Sequence, residues 1–166
     1  MDEGSRVRLC HLAVIVLALS AGCVRTQPHP HPQAVAALLP AEVRLHPFSG
    51  TRQFEEAEGV NGIEARVEAI DHFGDATKAL GRFRFEAHHY RPHQPDRKGA
   101  LIAPWVIDLT DPQTNLRHWD SLSRTYRFHL QWTRPVPPGE RFVLRVVFSP
   151  PEGARLFDEL VLVSGQ

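Results

Sequence analysis

Three groups of side chains have the types and spacing to do chemistry. The richest in imidazole is Glu86, His88, His89 and His93. Imidazole nitrogens with a carboxylate are a donor set that zinc and copper accept. Glu86 and His88 stand two apart, so on a strand they share one face. The second group, Asp108, Asp111, Asn115 and Asp120, offers the hard oxygens that calcium prefers, without the spacing of an EF-hand loop. The third is Trp119, in Arg117-His118-Trp119-Asp120. An indole flanked by polar groups suits a sugar or a protein partner.

Each group also has a reading without a ligand. Glu86 and His88 fall on the polar side of an alternating strand, and His89 falls on its inner side at the fraying end. Asp111 is placed to cap a helix, and Trp119 to plug the mouth of the fold. His29 and His31 are only two imidazoles on an extended stretch, too few for a firm metal site. The expectation is no metal and no cofactor. No catalytic set stands out either. The chain has no Gly-x-Ser-x-Gly, no phosphate-cradling Gly-x-x-x-x-Gly-Lys and no His-Glu-x-x-His. A non-enzymatic role is expected.

The remaining reactive groups are the two thiols, Cys10 and Cys23. Arg6 and Arg8 precede the apolar run Leu12-Ala13-Val14-Ile15-Val16-Leu17-Ala18-Leu19. That run is shorter than the roughly 20 residues a bilayer span needs, and it fits the apolar core of a signal peptide. Ser20, Ala21 and Gly22 lead directly into Cys23. Small residues before a cysteine resemble the lipobox of bacterial lipoproteins, although Leu19 here stands one place earlier than that family's usual leucine. The resemblance implies cleavage before Cys23, loss of Cys10 with the signal peptide, and a diacylglycerol on the Cys23 thiol. It also implies a cell-envelope address. Val24 follows the cysteine in place of the aspartate that retains many such proteins at the inner membrane, so the outer membrane, facing the periplasm, is favoured.

Elements must hold these groups, and composition bounds them. The chain has 166 residues, which suits one domain after a leader. An apolar fraction of 42% supports a core. Nineteen basic against nineteen acidic residues argues against nucleic acid as a partner. Arg outnumbers Lys by 17 to 2, but the arginines are spread along the chain rather than clustered. Residues 24–33, with alternating prolines and histidines, read as a semi-rigid spacer. Residues 33–39 suit either one or two helical turns or an apolar strap on the domain. The organisation expected is a signal peptide over 1–22, a lipidated Cys and tether over 23–40, and a globular domain over 41–166.

That domain alternates with period two over 63–69, 82–89, 126–132 and 142–148. Weaker runs occupy 101–109 and 157–163, and Val43 and Leu45 suggest a strand near 42–48. Val143, Arg145 and Val147 make the outer side of the 142–148 strand partly apolar, as if both faces were covered. Asn61-Gly62 reads as a turn before the first strong strand. Asp111 as N-cap with Pro112 at the first position predicts a short helix near 112–120. About seven strands, each with one apolar face, predict an all-β fold, an antiparallel Greek-key β-sandwich. Asp71-His72-Phe73-Gly74 and Pro138-Gly139-Glu140 resemble turns of immunoglobulin-like and fibronectin type III-like domains of bacterial envelope proteins. Together these features lead to the expectation of a lipid-anchored, non-catalytic structural or interaction module of the envelope. Its partners would be the membrane, through Cys23, and an envelope protein. The alternative is a glycan- or metal-binding module built on Trp119 or the 86–93 cluster.

Overall fold

The computed structural model describes residues 36–54, 60–134 and 136–165. Cys23, His29, His31, the expected boundary between leader and tether, and the expected tether up to residue 35 lie outside the described residues. Among the described residues, nine strands and one helix follow in order: β1 (Glu42–Leu45), β2 (Gly50–Phe54), β3 (Val60–Ile70), β4 (Arg82–Tyr90), β5 (Lys98–Asp108), α1 (Pro112–His118), β6 (Trp119–Asp120), β7 (Thr125–Gln131), β8 (Arg141–Ser149) and β9 (Leu156–Val163). One sheet has the order β1-β3-β7-β6, with β2 also on β3; the other has β5-β4-β8-β9. Every pairing is antiparallel. The chain visits the sheets in alternation, three strands, two, two and two, which makes the fold a Greek-key sandwich.

Period-two sequence explains the burial. Ile63, Ala65, Val67 and Ala69 on β3, and Phe83, Phe85 and Ala87 on β4, are all fully buried. Tyr126, Phe128 and Leu130 on β7 and Phe142, Leu144, Val146 and Phe148 on β8 complete the inner faces. Phe83 is the centre: its ring lies 4.7 Å from Phe148, 5.2 Å from Phe128 and 5.8 Å from Tyr126, centroid to centroid. Both sheets therefore meet on one aromatic cluster, with tilted rings that favour quadrupole attraction over face-to-face stacking.

The structure departs from the expected elements at three places. The strand expected over 42–48 stops at Leu45 and resumes as β2, so one edge of β3 is lined by an interrupted strand. Pro47 lacks the N–H a ladder needs. Ser49 repairs the gap, its hydroxyl oxygen accepting the Arg66 N–H at 3.0 Å. Asn61-Gly62 is not a turn but part of β3, with Gly62 opposite both Arg52 and Gln131. Glycine is required there by space: a Cβ would stand 2.4 Å from the Leu130 carbonyl oxygen. The two-residue β6 carries too little pattern to be read from sequence.

Other expectations are met. Asp111 caps α1 by accepting the Thr114 N–H at 2.7 Å, with Pro112 opening the helix. Asp71 Oδ1 accepts the N–H groups of Phe73 and Asp75 at 2.9 and 3.0 Å, closing the turn through Gly74 at φ 86°. The outer side of β8 is covered at Val143, which is 2% exposed. Asp96 and Arg97 of the β4–β5 connection stand over it, and Lys98 bonds Glu159 on β9.

The strand directions give the sandwich two distinct ends. The chain enters at one end, which also holds the 71–81 link, α1, the 121–124 turn and residues 150–155. There residues 36–41 form a strap: His72 N–H donates to Ala37 O, Thr77 Oγ1 to Leu38 O, and Ala41 N–H to Ile70 O. Replacing Phe83 by Ala should remove about 3–5 kcal/mol of stability, measured by urea unfolding. Phe157→Ala, on the exposed outer face, should shift it by less than about 0.5 kcal/mol.

Candidate functional site

Glu86 and His88 do come together on the outer face of the β5-β4-β8-β9 sheet. His88 Nε2 lies 3.3 Å from Glu86 Oε2, and its Nδ1 lies 3.3 Å from the Gly99 carbonyl. Arg84 Nε donates to Glu86 Oε1 at 2.8 Å. Partial burial pushes the Glu86 carboxyl up, but the His88 hydrogen bond and the Arg84 charge outweigh it and hold the group below its usual range. His89 and His93 are exposed. Among the described residues no three His, Cys, Asp or Glu side chains converge as metal ligands. The β4–β5 register is irregular at Ala87, His88 and Tyr90, just before the exposed connection that carries His93.

The four oxygen-bearing residues from the end of β5 onward separate into four tasks. Asp108 Oδ1 accepts from the Thr110 N–H at 2.9 Å and its hydroxyl at 2.6 Å. Asp111 caps α1, and Asp120 accepts the N–H groups of Leu122 and Ser123 at 3.0 and 3.3 Å. Asn115 points inward and is buried. Backbone donors close to one chain segment have claimed each carboxylate, so the calcium constellation is not assembled.

Asn115 instead forms the polar node of the entry end. Its Nδ2 donates to Ala79 O at 2.7 Å and Leu109 O at 3.0 Å. Its Oδ1 accepts the Tyr126 hydroxyl proton at 2.8 Å, while that hydroxyl oxygen accepts the Ala79 N–H at 2.9 Å. Burial pushes the Tyr126 phenol up, against the pull of these bonds, so it remains a donor. Sequence reasoning overlooked this pair. The available signal was a Tyr on the inward side of β7, whose hydroxyl must find a partner once buried.

Trp119 packs edge-on against Tyr126 at 5.0 Å, and the Lys78 ammonium lies 4.0 Å from its ring centroid. The ring therefore closes the sandwich mouth, with a cation over one face. It is not a free stacking platform.

The two more voluminous hollows among the described residues stand at opposite ends of the sandwich. At the far end a cleft of about 490 Å³ is lined by Arg52, Gln53, Trp132 and Pro138 among others. At the entry end an apolar cavity of about 530 Å³ lies between the strap (Leu39, Pro40), Leu80 and the Pro150-Pro151 turn. Leu80 also borders a second hollow against Pro112 and Leu116 of α1, so the two form one apolar surface. No protein family matches the chain, and no similar curated protein or solved structure was found.

Tyr126→Phe should cost about 1–3 kcal/mol, because Asn115 Oδ1 and the Ala79 N–H lose their buried partner. Glu86→Gln should cost about 1 kcal/mol at pH 7, as for a half-exposed ion pair. The lowered Glu86 carboxyl stabilises the fold above its unfolded value of 4.5. The difference between Glu86→Gln and wild type should therefore fade as the pH falls through that region, seen by urea midpoints across an acid series.

Proposed function

We propose that the protein is a lipid-anchored, non-catalytic module of the bacterial cell envelope that presents its sandwich to a protein partner. The observation that carries this reading is the small-residue run Ser20-Ala21-Gly22 leading into Cys23, behind a short apolar segment and ahead of a proline-rich spacer. Residues 1–22 would be the leader and Cys23 the acylated residue. Residues 23–40 would be the tether, its last residues strapped onto the domain, and 41–166 the presented domain. Stable anchoring takes more than one acyl chain, which a diacylated, N-acylated cysteine supplies. The outer membrane, facing the periplasm, is the favoured site.

Two features of the sandwich support presentation to a protein. Taken in chain order, β1/β2-β3-β7-β6 and β5-β4-β8-β9 follow the strand order of immunoglobulin-type domains, a fold much used at cell surfaces. The outer face of the second sheet sets exposed Leu101, Val106, Phe157 and Val161 among the ion pairs of Arg84 with Glu86 and Arg145 with Glu159. Apolar anchors within a charged frame suit a protein interface better than bulk solvent. The glycan- or metal-binding alternative has less support, since the Trp119 ring is covered and the 86–93 histidines are dispersed.

Cys23→Ala should move the protein from the membrane to the soluble fraction, and wild type should carry an acyl label. A membrane-bound variant with no label on wild type would refute the anchor. Crosslinking of intact envelopes followed by affinity capture should recover one stoichiometric protein, lost in Phe157→Asp. Capture at background level from wild type would count against the partner.

A further inference from the structure

The exposed apolar side chains are unevenly distributed, and the asymmetry is informative. Leu38, Leu39, Phe73, Leu80, Leu116 and Leu122 all lie at the entry end, on the strap, the 71–81 link, α1 and the 121–124 turn. Leu122 is 95% exposed and Phe73 71%. The described turns of the far end, 91–97 and 132–140, carry no large exposed apolar residue. The apolar tips therefore sit on the end through which the chain enters the domain.

Chain length sets what these tips can reach. Residues 24–35 are all that separates Cys23 from Ala36. Fully extended, that stretch spans at most about 45 Å. The entry end is thus held within a few tens of ångströms of any bilayer that holds the Cys23 lipid. At that distance even a weak surface contact is populated, because tethering makes it intramolecular. Formal charge neither drives nor opposes contact. The 71–81, 109–124 and 150–155 segments carry four basic against five acidic side chains, and Asp71, Asp111 and Asp120 are committed to backbone donors. The hollows between Leu39, Leu80 and Leu116 give the surface relief into which acyl chains can pack.

We infer that the entry end is a membrane-docking surface. Its leucines and Phe73 sit in the interfacial region of the leaflet to which Cys23 is anchored, so that the sandwich rests on the lipid with its far end outward. This inference rests on the anchor reading above. It assigns the spacer a positioning role in place of holding the domain clear of the surface. Because insertion is apolar, docking should occur on zwitterionic lipid and resist salt, unlike binding that relies on basic patches.

The test uses the full-length lipidated protein, purified from membranes and reconstituted into phosphatidylcholine vesicles. With Cys23 acylated, a cysteine placed at Leu116 or at Leu101 is the sole free thiol and can carry an environment-sensitive dye. The Leu116→Cys probe should shift to the blue and be quenched by spin-labelled lipid, unchanged between low and 0.5 M salt (a concentration that shortens the Debye length to only about 4 Å). The Leu101→Cys probe, on the outer face of the second sheet, should report water. Adding Leu80→Asp and Leu122→Asp should abolish most of the quenching at position 116 while flotation persists. Both sites are exposed, and a retained unfolding midpoint confirms the fold. Vesicles that float with an aqueous Leu116 probe would overturn docking and leave the anchor standing. Shielding of that probe only after envelope protein is added would overturn it in favour of a protein partner. Failure to float would remove the anchor and docking together.

Discussion

A buried hydrogen-bond node holds the entry end together, and the arrangement of everything presented there depends on it. The Tyr126 hydroxyl and Asn115 amide satisfy each other and the backbone of Ala79, and Asn115 also takes the Leu109 carbonyl. These residues belong to four different segments: β7, α1, the 71–81 link and the end of β5. What fixes them is the cost of leaving polar groups unpaired in a dry interior, which exceeds the modest net gain of each bond. Trp119 then packs on Tyr126, and Lys78 lies over Trp119. The exposed leucines on the link and on α1 inherit their placement from this node.

The rest of the sandwich is held by a different force, burial of aromatic surface around Phe83. Its edges are managed locally. Asp158, on β9 of one sheet, accepts the Leu45 N–H of β1 in the other at 2.7 Å, closing the corner between them. Pro104 interrupts the donor row of β5, an edge strand, which discourages further strand addition. At the opposite edge of β3 the break at Pro47 and Ser49 shortens the exposed ladder.

Most of the strands were legible in the sequence because one-sided burial writes a period of two. β3, β4, β7 and β8 all stand within a few residues of where alternation places them, and β9 follows its weaker run. The helix was legible because Asp111 and Pro112 perform a local task that needs no distant partner. β2 and β6 were not legible. The first, Gly-Thr-Arg-Gln-Phe, lies on an edge with no deeply buried face, and the second is two residues long. Gly62 misled for a related reason: Asn-Gly suits a turn, whereas here the glycine makes room for the Leu130 carbonyl of a neighbouring strand. The candidate clusters suffered most. Spacing along the chain placed Asp108, Asp111, Asn115 and Asp120 together, yet the three carboxylates turned to nearby backbone donors and Asn115 turned inward to Tyr126 and Ala79.

By itself the sequence determined the fold class, the turns at Asp71–Gly74 and Pro138–Glu140, and the cap of α1, since these depend on local stereochemistry and on which side of a strand is apolar. It also carries the signals at Cys23 on which the anchor reading rests. Only the tertiary structure decided that Asn115 is a structural node, that Trp119 is a plug, and that most of the exposed leucines gather at the end where the chain enters. Those outcomes turn on which distant groups meet. Such meetings are set by the packing of two sheets around Phe83 and by the demand that every buried polar group find a partner, and neither is encoded in the spacing of neighbours along the chain.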